Sequence, residues 1–192
     1  MRGSDLKREE NYEEYLRLLQ NDDYVDVTYD ETSGGMSAVH KLHKFDKKQG
    51  TCGMRRGDYE RTVLEVMRKN GHRIVLEAET NTPGVKSCDG YFDDVPMEIK
   101  SIEGYGTWTI SSKLRHAAKQ HAQCCILYFP NENNYSGNRV SEGIRLSQSN
   151  PGNDEKLLLT KILVVVCNRL VAVWDKKATP IEGWSVWEGL RR

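Results

Sequence analysis

The sequence predicts an α/β fold in which helices flank a central mixed sheet, and two segments carry most of this prediction. Residues 58–70 place apolar side chains at helical spacing, with Asp58 as a possible N-terminal cap and Gly71 as a left-handed stop. Residues 72–101 contain three short runs with strand-like alternation, separated by turn signals. A helix followed by three strands is therefore expected from residue 58 onward.

A second helix and a fourth strand complete the order αβββαβ. Ser111 or Ser112 can cap a helix that ends near residue 123, and the apolar run at 124–129 is typical of a buried strand. A weaker apolar periodicity at 138–148 predicts one more helix.

The C-terminal part predicts a β-hairpin. Its strands are expected at 157–167 and 170–174, although no glycine marks the turn between them. This hairpin is expected either to join the sheet or to form a dimer edge. Trp184 and Trp187 are expected to pack as a C-terminal flap.

The N-terminal part predicts an accessory arm. Residues 5–20 form a charged amphipathic helix, residues 24–29 a short strand, and residues 30–57 a long connection with little periodicity. We therefore divide the chain into an N-terminal arm, residues 1–50, and a main domain, residues 51–192.

Composition narrows the class of protein. The 192 residues have zero formal net charge, but residues 1–31 carry a net charge of −6 and residues 41–73 carry +6. The basic stretch is expected to be either a polyanion-binding face or an ordinary solvated surface.

Five scattered cysteines without a CxxC pair argue against a zinc knuckle or a redox motif and favour free thiols. The longest apolar run, 162–166, is far shorter than the ~20 residues that span a bilayer, and no apolar signal core opens the chain, so a cytoplasmic protein without membrane association is expected.

The run CDGYFDDVPMEIK, residues 88–100, predicts a metal site. Asp89 and Glu98 stand on two strands joined by a tight turn, so antiparallel pairing can bring both carboxylates to one end of the hairpin. Lys100 follows Glu98 by two positions and shares its face of the strand. Two hard oxygen donors beside an ammonium group suit Mg²⁺ or Mn²⁺ in contact with a phosphate. The alternative is a turn aspartate with a surface salt bridge, which is worth about 0–1 kcal/mol.

Glu60 is the expected fourth member of this site. At 100° per residue it shares a side of its helix with Leu64 and Met67, whereas Glu65 points nearly opposite, toward water. A carboxylate beside an apolar stripe is costly to bury unless it has a partner. We therefore predict that Glu60 acts together with Asp89 as a metal ligand, directly or through water.

The arrangement resembles the PD-(D/E)xK phosphodiesterase superfamily over roughly residues 57–130. Asp89 would be its first acid, and Glu98-Ile99-Lys100 its (D/E)xK element, with Cys88 where the superfamily name has proline. The chain looks most like the C-terminal tRNase domains of contact-dependent growth-inhibition toxins and related domains on phage head proteins. That likeness rests on Gly57-Asp58-Tyr59-Glu60, Gly71-His72, Glu98-Ile99-Lys100 and the helix LRHAAKQHA.

The resemblance implies a restriction-endonuclease-like core and a Mg²⁺-dependent endonuclease, with tRNA favoured over DNA as substrate. It also implies an immunity or phage protein as a possible partner, and it places Lys119 and Gln120 at positions that face the active site in such families. The alternatives are a catalytically silent nucleic-acid-binding or phage structural module with the same fold, and an adaptor that binds a partner through the acidic helix at 5–20.

Other residues have open interpretations. Glu77 and Glu79 could assist Glu60, although a solvated strand face is favoured, and His40 and His43 are interpreted as loop histidines rather than metal ligands. Phosphate contact and ordinary exposure are equally expected for the stripe that comprises Lys113, His116 and Gln120. Tyr105 and Trp108 are expected either to stack on an unpaired base, as substrate-binding residues, or to close over the core.

Overall fold

The computed structural model describes residues 3–78, 88–149 and 159–176. In chain order its elements are α1 (Gly3–Leu19), β1 (Tyr24–Tyr29), β2 (Met36–His40), α2 (Arg56–Lys69), β3 (Arg73–Leu76), β4 (Gly90–Phe92), β5 (Val95–Ser101), α3 (Thr107–Lys119), β6 (Cys124–Phe129), α4 (Gly137–Ser149), β7 (Lys161–Val166) and β8 (Arg169–Asp175). Glu79, the turn predicted at 81–84 and the expected flap of Trp184 and Trp187 lie outside the described residues.

All eight described strands belong to one mixed sheet whose spatial order is the order of the chain. The neighbours β1–β2, β3–β4, β4–β5 and β7–β8 are antiparallel, whereas β2–β3, β5–β6 and β6–β7 are parallel. The helices α2, α3 and α4 connect the parallel pairs. The predicted α/β class with a mixed sheet is confirmed, and from α2 to β6 the elements follow the predicted order.

The directions of the strands define the edge of the sheet that matters for function. The strands β2, β3, β5, β6 and β7 all run the same way, so their carboxyl ends meet at one edge, called here the carboxyl edge. The helices α2 and α3 begin after β2 and β5 and therefore start near this edge. In open α/β sheets, ligands bind outside the carboxyl ends of the strands.

Helices cover both faces of the sheet. On one face α2 packs on the middle strands through Tyr59, Val63, Leu64, Val66 and Met67. On the other face α3 and α4 pack on β6, β7 and β8 through Ile110, Leu114, Ala117, Val140 and Ile144. The helix α1 is joined to the sheet near β2 and β3, because Leu18 packs with Met36, Ala38 and Val75. No helix in the described parts of the chain is long and apolar enough to cross a membrane.

The prediction of a long connection over residues 30–57 is wrong, because β2 lies within it. Met36 to Val39 are buried on both faces of the sheet, so this strand lacks the polar alternation that marks a half-buried strand. The pairing of β2 with β3 makes residues 24–40 part of the same sheet as the predicted main domain. The sheet therefore continues across the boundary that we placed at residue 50.

Two helices begin earlier than predicted. The helix α2 starts at Arg56, and Asp58 is its third residue rather than its cap; the Asp58 carboxylate accepts a hydrogen bond of 3.2 Å from the backbone of Arg55. Gly71 adopts the predicted left-handed conformation, with φ +78°. The helix α3 starts at Thr107 after Gly106, so Trp108 lies in its first turn instead of in the preceding loop.

The two predicted hairpins are confirmed. Asp93 and Asp94 have φ values of 45° and 65°, a left-handed pair that matches the twist of the strands β4 and β5. The hairpin of β7 and β8 turns at Cys167, which has φ 52°, and it continues the sheet.

Candidate active site

Asp89, Glu98 and Lys100 lie together on the face of the sheet that carries α3 and α4. Gly90 pairs with Met97, so Asp89 lies beside Glu98 on the neighbouring strand. Oδ2 of Asp89 accepts a hydrogen bond of 2.7 Å from the backbone nitrogen of Ile99. This bond places the Asp89 carboxylate against β5.

Glu98 and Lys100 are held inside the protein. Glu98 pairs with Cys125, whose side chain belongs to the core beneath α3 and α4. Only 1% of Glu98 is exposed, and the Lys100 ammonium group donates a hydrogen bond to its Oε2 atom. The alternative of a surface salt bridge is therefore wrong for this pair, because Glu98 is buried and only 15% of the Lys100 side chain is exposed.

Burial and the Asp89 carboxylate shift the protonation of this pair. Together they raise the pKa of Glu98 to about 7, although Lys100 opposes this shift. Burial by itself would lower the pKa of Lys100, but the carboxylates of Glu98 and Asp89 outweigh burial and raise it. Lys100 is thus an ammonium group at neutral pH, and the region around Asp89 and Glu98 can accept further positive charge.

Cys88 directly precedes Asp89 and lies beside the carboxylates. Its thiol donates a hydrogen bond of 3.1 Å to the backbone oxygen of Gln120, the residue that caps α3. Burial and the charges of Glu98 and Asp89 raise the pKa of Cys88 to about 11, so the thiol stays protonated. Cys88 therefore contributes packing and one hydrogen bond rather than a thiolate.

Glu60 lies on α2, which packs on the opposite face of the sheet from α3 and α4, and His43 is its hydrogen-bond partner. Nε2 of His43 lies 2.9 Å from Oε2 of Glu60, and Nδ1 of the same ring lies 2.9 Å from the backbone oxygen of Glu77. Burial raises the pKa of Glu60 against the opposing effect of His43, and the Asp89 charge adds to the increase. The Asp89 charge also acts on His43, whose pKa is raised by its partners despite burial. The side chains of Glu60, His43 and Asp89 therefore influence one another electrostatically.

His43 is a site residue whose contact with Glu60 the sequence did not indicate, and Glu77 contributes only its backbone oxygen. His43 lies in the connection between β2 and α2, as expected of a loop histidine, but only 4% of its side chain is exposed. Glu77 accepts a hydrogen bond of 2.8 Å from the Tyr24 hydroxyl, which contradicts a solvated strand face. His40 instead bonds within its own turn, through Nδ1 to the backbone of Leu42. The HxxH spacing was visible in the sequence, but it gave no indication that only His43 faces Glu60.

Asp89, Glu98 and Glu60 are the candidate ligands for a divalent cation. The described residues contain no ready-made group of three His, Cys, Asp or Glu side chains around one point. Asp89 and Glu98 nevertheless fit a cation, because they are adjacent oxygen donors, and burial together with the Asp89 charge raises the pKa of Glu98. Glu60 is engaged by His43 through one oxygen, and its role as a third ligand stays a prediction.

The predicted substrate-binding residues occupy different places on α3. Lys113 is half-buried, and burial together with the charges of Lys100 and Arg56 lowers its pKa, so it lies near the active-site ammonium group. Lys119 is exposed in the last helical position, and Gln120 follows as the C-terminal cap. Trp108 is exposed in the first turn of α3. Contacts of these four residues with a substrate stay predictions.

Comparisons of the chain with protein-family models, with curated proteins and with solved structures find no match. Inferences about function therefore depend on the residues and the geometry of this site.

Proposed function

We propose that the chain is a metal-dependent endonuclease with a restriction-endonuclease-like core. The observation that carries this proposal is the set of buried Glu98 and half-buried Asp89 and Lys100 near the carboxyl edge of the sheet. Burying like charges side by side costs free energy, and Lys100 offsets only part of it. Such a cost is typical of sites where the charges perform chemistry.

The arrangement of the elements supports the proposed core. The helix α2 precedes three antiparallel strands, β3 to β5, and α3 then leads to β6, which is parallel to β5. This is the αβββαβ order that the superfamily resemblance implies. The two acids and the lysine stand on the second and third strands of that unit, where the resemblance expects them.

Asp89 and Glu98 would hold a Mg²⁺ or Mn²⁺ ion, with Glu60 as the further carboxylate. When bound, the ion would neutralise charge on the phosphoryl oxygens and acidify a water molecule. Lys100 remains charged because its pKa is raised, so it orients the attacking water and stabilises negative charge on the phosphate instead of removing a proton. Water attacks the phosphorus directly as one P–O ester bond breaks, the leaving oxygen takes up a proton and departs as a hydroxyl group, and no covalent intermediate with the protein is formed.

The proposed substrate is tRNA in preference to DNA, and a toxin-like or phage-associated role with an immunity or phage partner is part of the proposal. These statements derive from the resemblance alone. The second candidate, a catalytically silent module, would require that the buried charges serve structure only. Their intact set of two acids and a lysine favours the enzyme.

Cleavage assays test the proposal. The purified chain is incubated with tRNA, single-stranded DNA and duplex DNA, in Mg²⁺ or in EDTA, beside the variants Asp89→Ala and Lys100→Ala. Cleavage of one substrate that disappears in EDTA and in both variants is expected. Cleavage that persists in EDTA or in both variants would contradict the site, and intact substrates throughout would favour the silent module.

A further inference from the structure

Two aromatic side chains stand exposed near the candidate active site. Tyr105 is 64% exposed and Trp108 is 67% exposed, one just before α3 and the other in its first turn. The interpretation that they close over the core is therefore wrong. Large aromatic side chains that face water at a site, without a core to fill, are typical of binding surfaces. We call these two residues the aromatic platform.

Positive charges accompany the aromatic platform. The guanidinium group of Arg139, from α4, lies over the Tyr105 ring at 5.4 Å from its centre. Lys113 stands on α3 five residues after Trp108, about 7.5 Å along the helix axis and about 140° around it, so the two side chains leave different sides of the helix. The positive charge of Lys100 contributes to the lowered pKa of Lys113. Aromatic rings interleaved with cations match the alternation of bases and phosphates in a nucleic acid strand.

The segment that carries the aromatic platform is fastened to the rest of the site. Glu103 forms two hydrogen bonds with Arg56 at the start of α2, at 3.1 and 3.0 Å. The backbone oxygen of Glu103 also accepts a bond of 3.0 Å from the side-chain amide of Asn134. Tyr105, two residues after Glu103, is thereby tied to the start of α2, and the charges of Arg56, Glu103 and Lys100 all act on Lys113.

We infer that Tyr105 and Trp108 stack on unpaired bases beside the scissile phosphate, so that the substrate is a nucleic acid with a single-stranded segment. This inference rests on the proposed nuclease function and specifies its substrate class. A continuous duplex presents only base edges and backbone, because its bases stack on one another and hide their faces. The zero net charge of the chain also provides little nonspecific attraction for a duplex.

Binding measured without cleavage tests the inference. Fluorescence anisotropy of labelled hairpins is recorded in EDTA with the full chain. One probe is a hairpin whose stem is closed by a seven-base loop. The other is a continuous duplex with the same stem sequence, and each probe is made as RNA and as DNA. The variants are Trp108→Ala, Tyr105→Ala and Trp108→Phe. Tyr12→Ala is the matched control, because Tyr12 is an exposed tyrosine on α1, 47% exposed, at the other end of the sheet. Thermal melting verifies that each variant is folded.

Tighter binding of the looped hairpins is expected, and Trp108→Ala and Tyr105→Ala should each weaken it roughly 5- to 150-fold, since stacking on one base is worth about 1–3 kcal/mol. Trp108→Phe should retain most of the affinity, and Tyr12→Ala all of it. The RNA and DNA versions show which sugar the site accepts. Equal affinity for the duplex, or platform variants that bind as tightly as Tyr12→Ala, overturns the inference, and in that case a protein partner would fit the exposed rings better.

The result separates this inference from the proposed function. If looped hairpins bind through Trp108 but Mg²⁺ produces no cleavage, the stacking inference stands and the nuclease proposal fails. If Mg²⁺-dependent cleavage depends on Lys100 but not on Trp108 or Tyr105, the nuclease proposal stands and the stacking inference fails.

Discussion

Nε2 of His43 lies 2.9 Å from Oε2 of Glu60, in a contact that leaves 4% of the His43 side chain and 23% of the Glu60 side chain exposed. The carbonyl of Glu77 only accepts hydrogen bonds, so the Nδ1 atom of His43 that faces it must carry a hydrogen. The Nε2 atom faces the Glu60 carboxyl group, and a hydrogen bond between them can form in two ways. Either His43 is an imidazolium beside ionised Glu60, or it is a neutral imidazole beside protonated Glu60. Since the pKa of both groups is raised, this pair retains its proton readily. The contact fixes where Glu60 points.

The first prediction concerns this contact. His43→Ala should lower cleavage about 10- to 100-fold, because loss of a group that orients a metal-binding carboxylate typically has that effect. The loss should be largest at low Mg²⁺, where orientation of Glu60 determines how much ion is bound. Cleavage rates measured over a series of Mg²⁺ concentrations check this. His40→Ala, three residues away and without a bond to Glu60, is the control and should behave as the unchanged chain does. Equal effects of the two variants would show that His43 does not serve Glu60.

The second prediction separates catalysis from stability at Glu98 and Lys100. Glu98→Gln and Lys100→Met should each reduce cleavage by at least ~10²-fold. Their stabilities at pH 8 should differ in direction. Glu98→Gln removes a buried charge that repels Asp89, so the melting temperature should stay equal or rise. Lys100→Met leaves Glu98 buried without its counter-ion, so it should lower the free energy of unfolding by about 3–5 kcal/mol. Melting curves measured beside the assays decide this, and two variants of equal stability would contradict the described pairing.

The raised pKa of Glu98 also predicts a pH dependence. Its folded-state pKa of about 7 lies above the ordinary value of 4.5, so its stabilising contribution is fully present below pH 4.5 and is lost as the pH rises through 7. Urea unfolding of the metal-free chain should therefore show stability falling between pH 4.5 and 7. In Glu98→Gln this part of the fall should disappear. If the stability of Glu98→Gln depends on pH in the same way as that of the unchanged chain, a group other than Glu98 causes the fall.

The fourth prediction concerns metal binding. Mg²⁺ should raise the melting temperature more at pH 8 than at pH 5.5, because the ion binds ionised carboxylates and Glu98 loses its proton near pH 7. At one hundred times the dissociation constant, the stabilisation should be about 2.7 kcal/mol, and EDTA should reverse it. Asp89→Asn should abolish the effect, whereas Asp94→Asn, an exposed aspartate in the neighbouring turn, should not. A shift that survives in Asp89→Asn would indicate binding at another site.

Local sequence patterns predicted much of this structure, and the exceptions have physical causes. The αβββαβ order, the Asp93–Asp94 turn and the shared face of Glu98 and Lys100 follow from periodicity and spacing along the chain. The strand β2 was missed because burial on both faces removes alternation. His43 was missed because its contact with Glu60 depends on how the connection between β2 and α2 folds back, which no short-range pattern encodes.

The last prediction concerns the attachment of α1 to the sheet. Asp93 accepts hydrogen bonds of 2.8 Å from Lys7, 2.9 Å from His72 and 2.9 Å from the backbone of Arg73. Burial alone would raise the pKa of Asp93, but His72 and Lys7 outweigh burial and lower it to about 2. Because this value lies below the ordinary 3.8, the stabilising contribution is present above pH 3.8 and is lost as the pH falls through 2.

Asp93→Asn should therefore cost about 1–3 kcal/mol of unfolding free energy at pH 7, since three part-buried hydrogen bonds lose their charged acceptor. The difference from the unchanged chain should vanish toward pH 2. Asp94→Asn is the matched control, because its side chain is 78% exposed in the same turn, and it should change stability by less than about 0.5 kcal/mol. Urea unfolding at both pH values checks this. If the two variants cost the same, the contact with Lys7 contributes nothing, and α1 is held on the sheet by the packing of Leu18 against Met36 and Ala38.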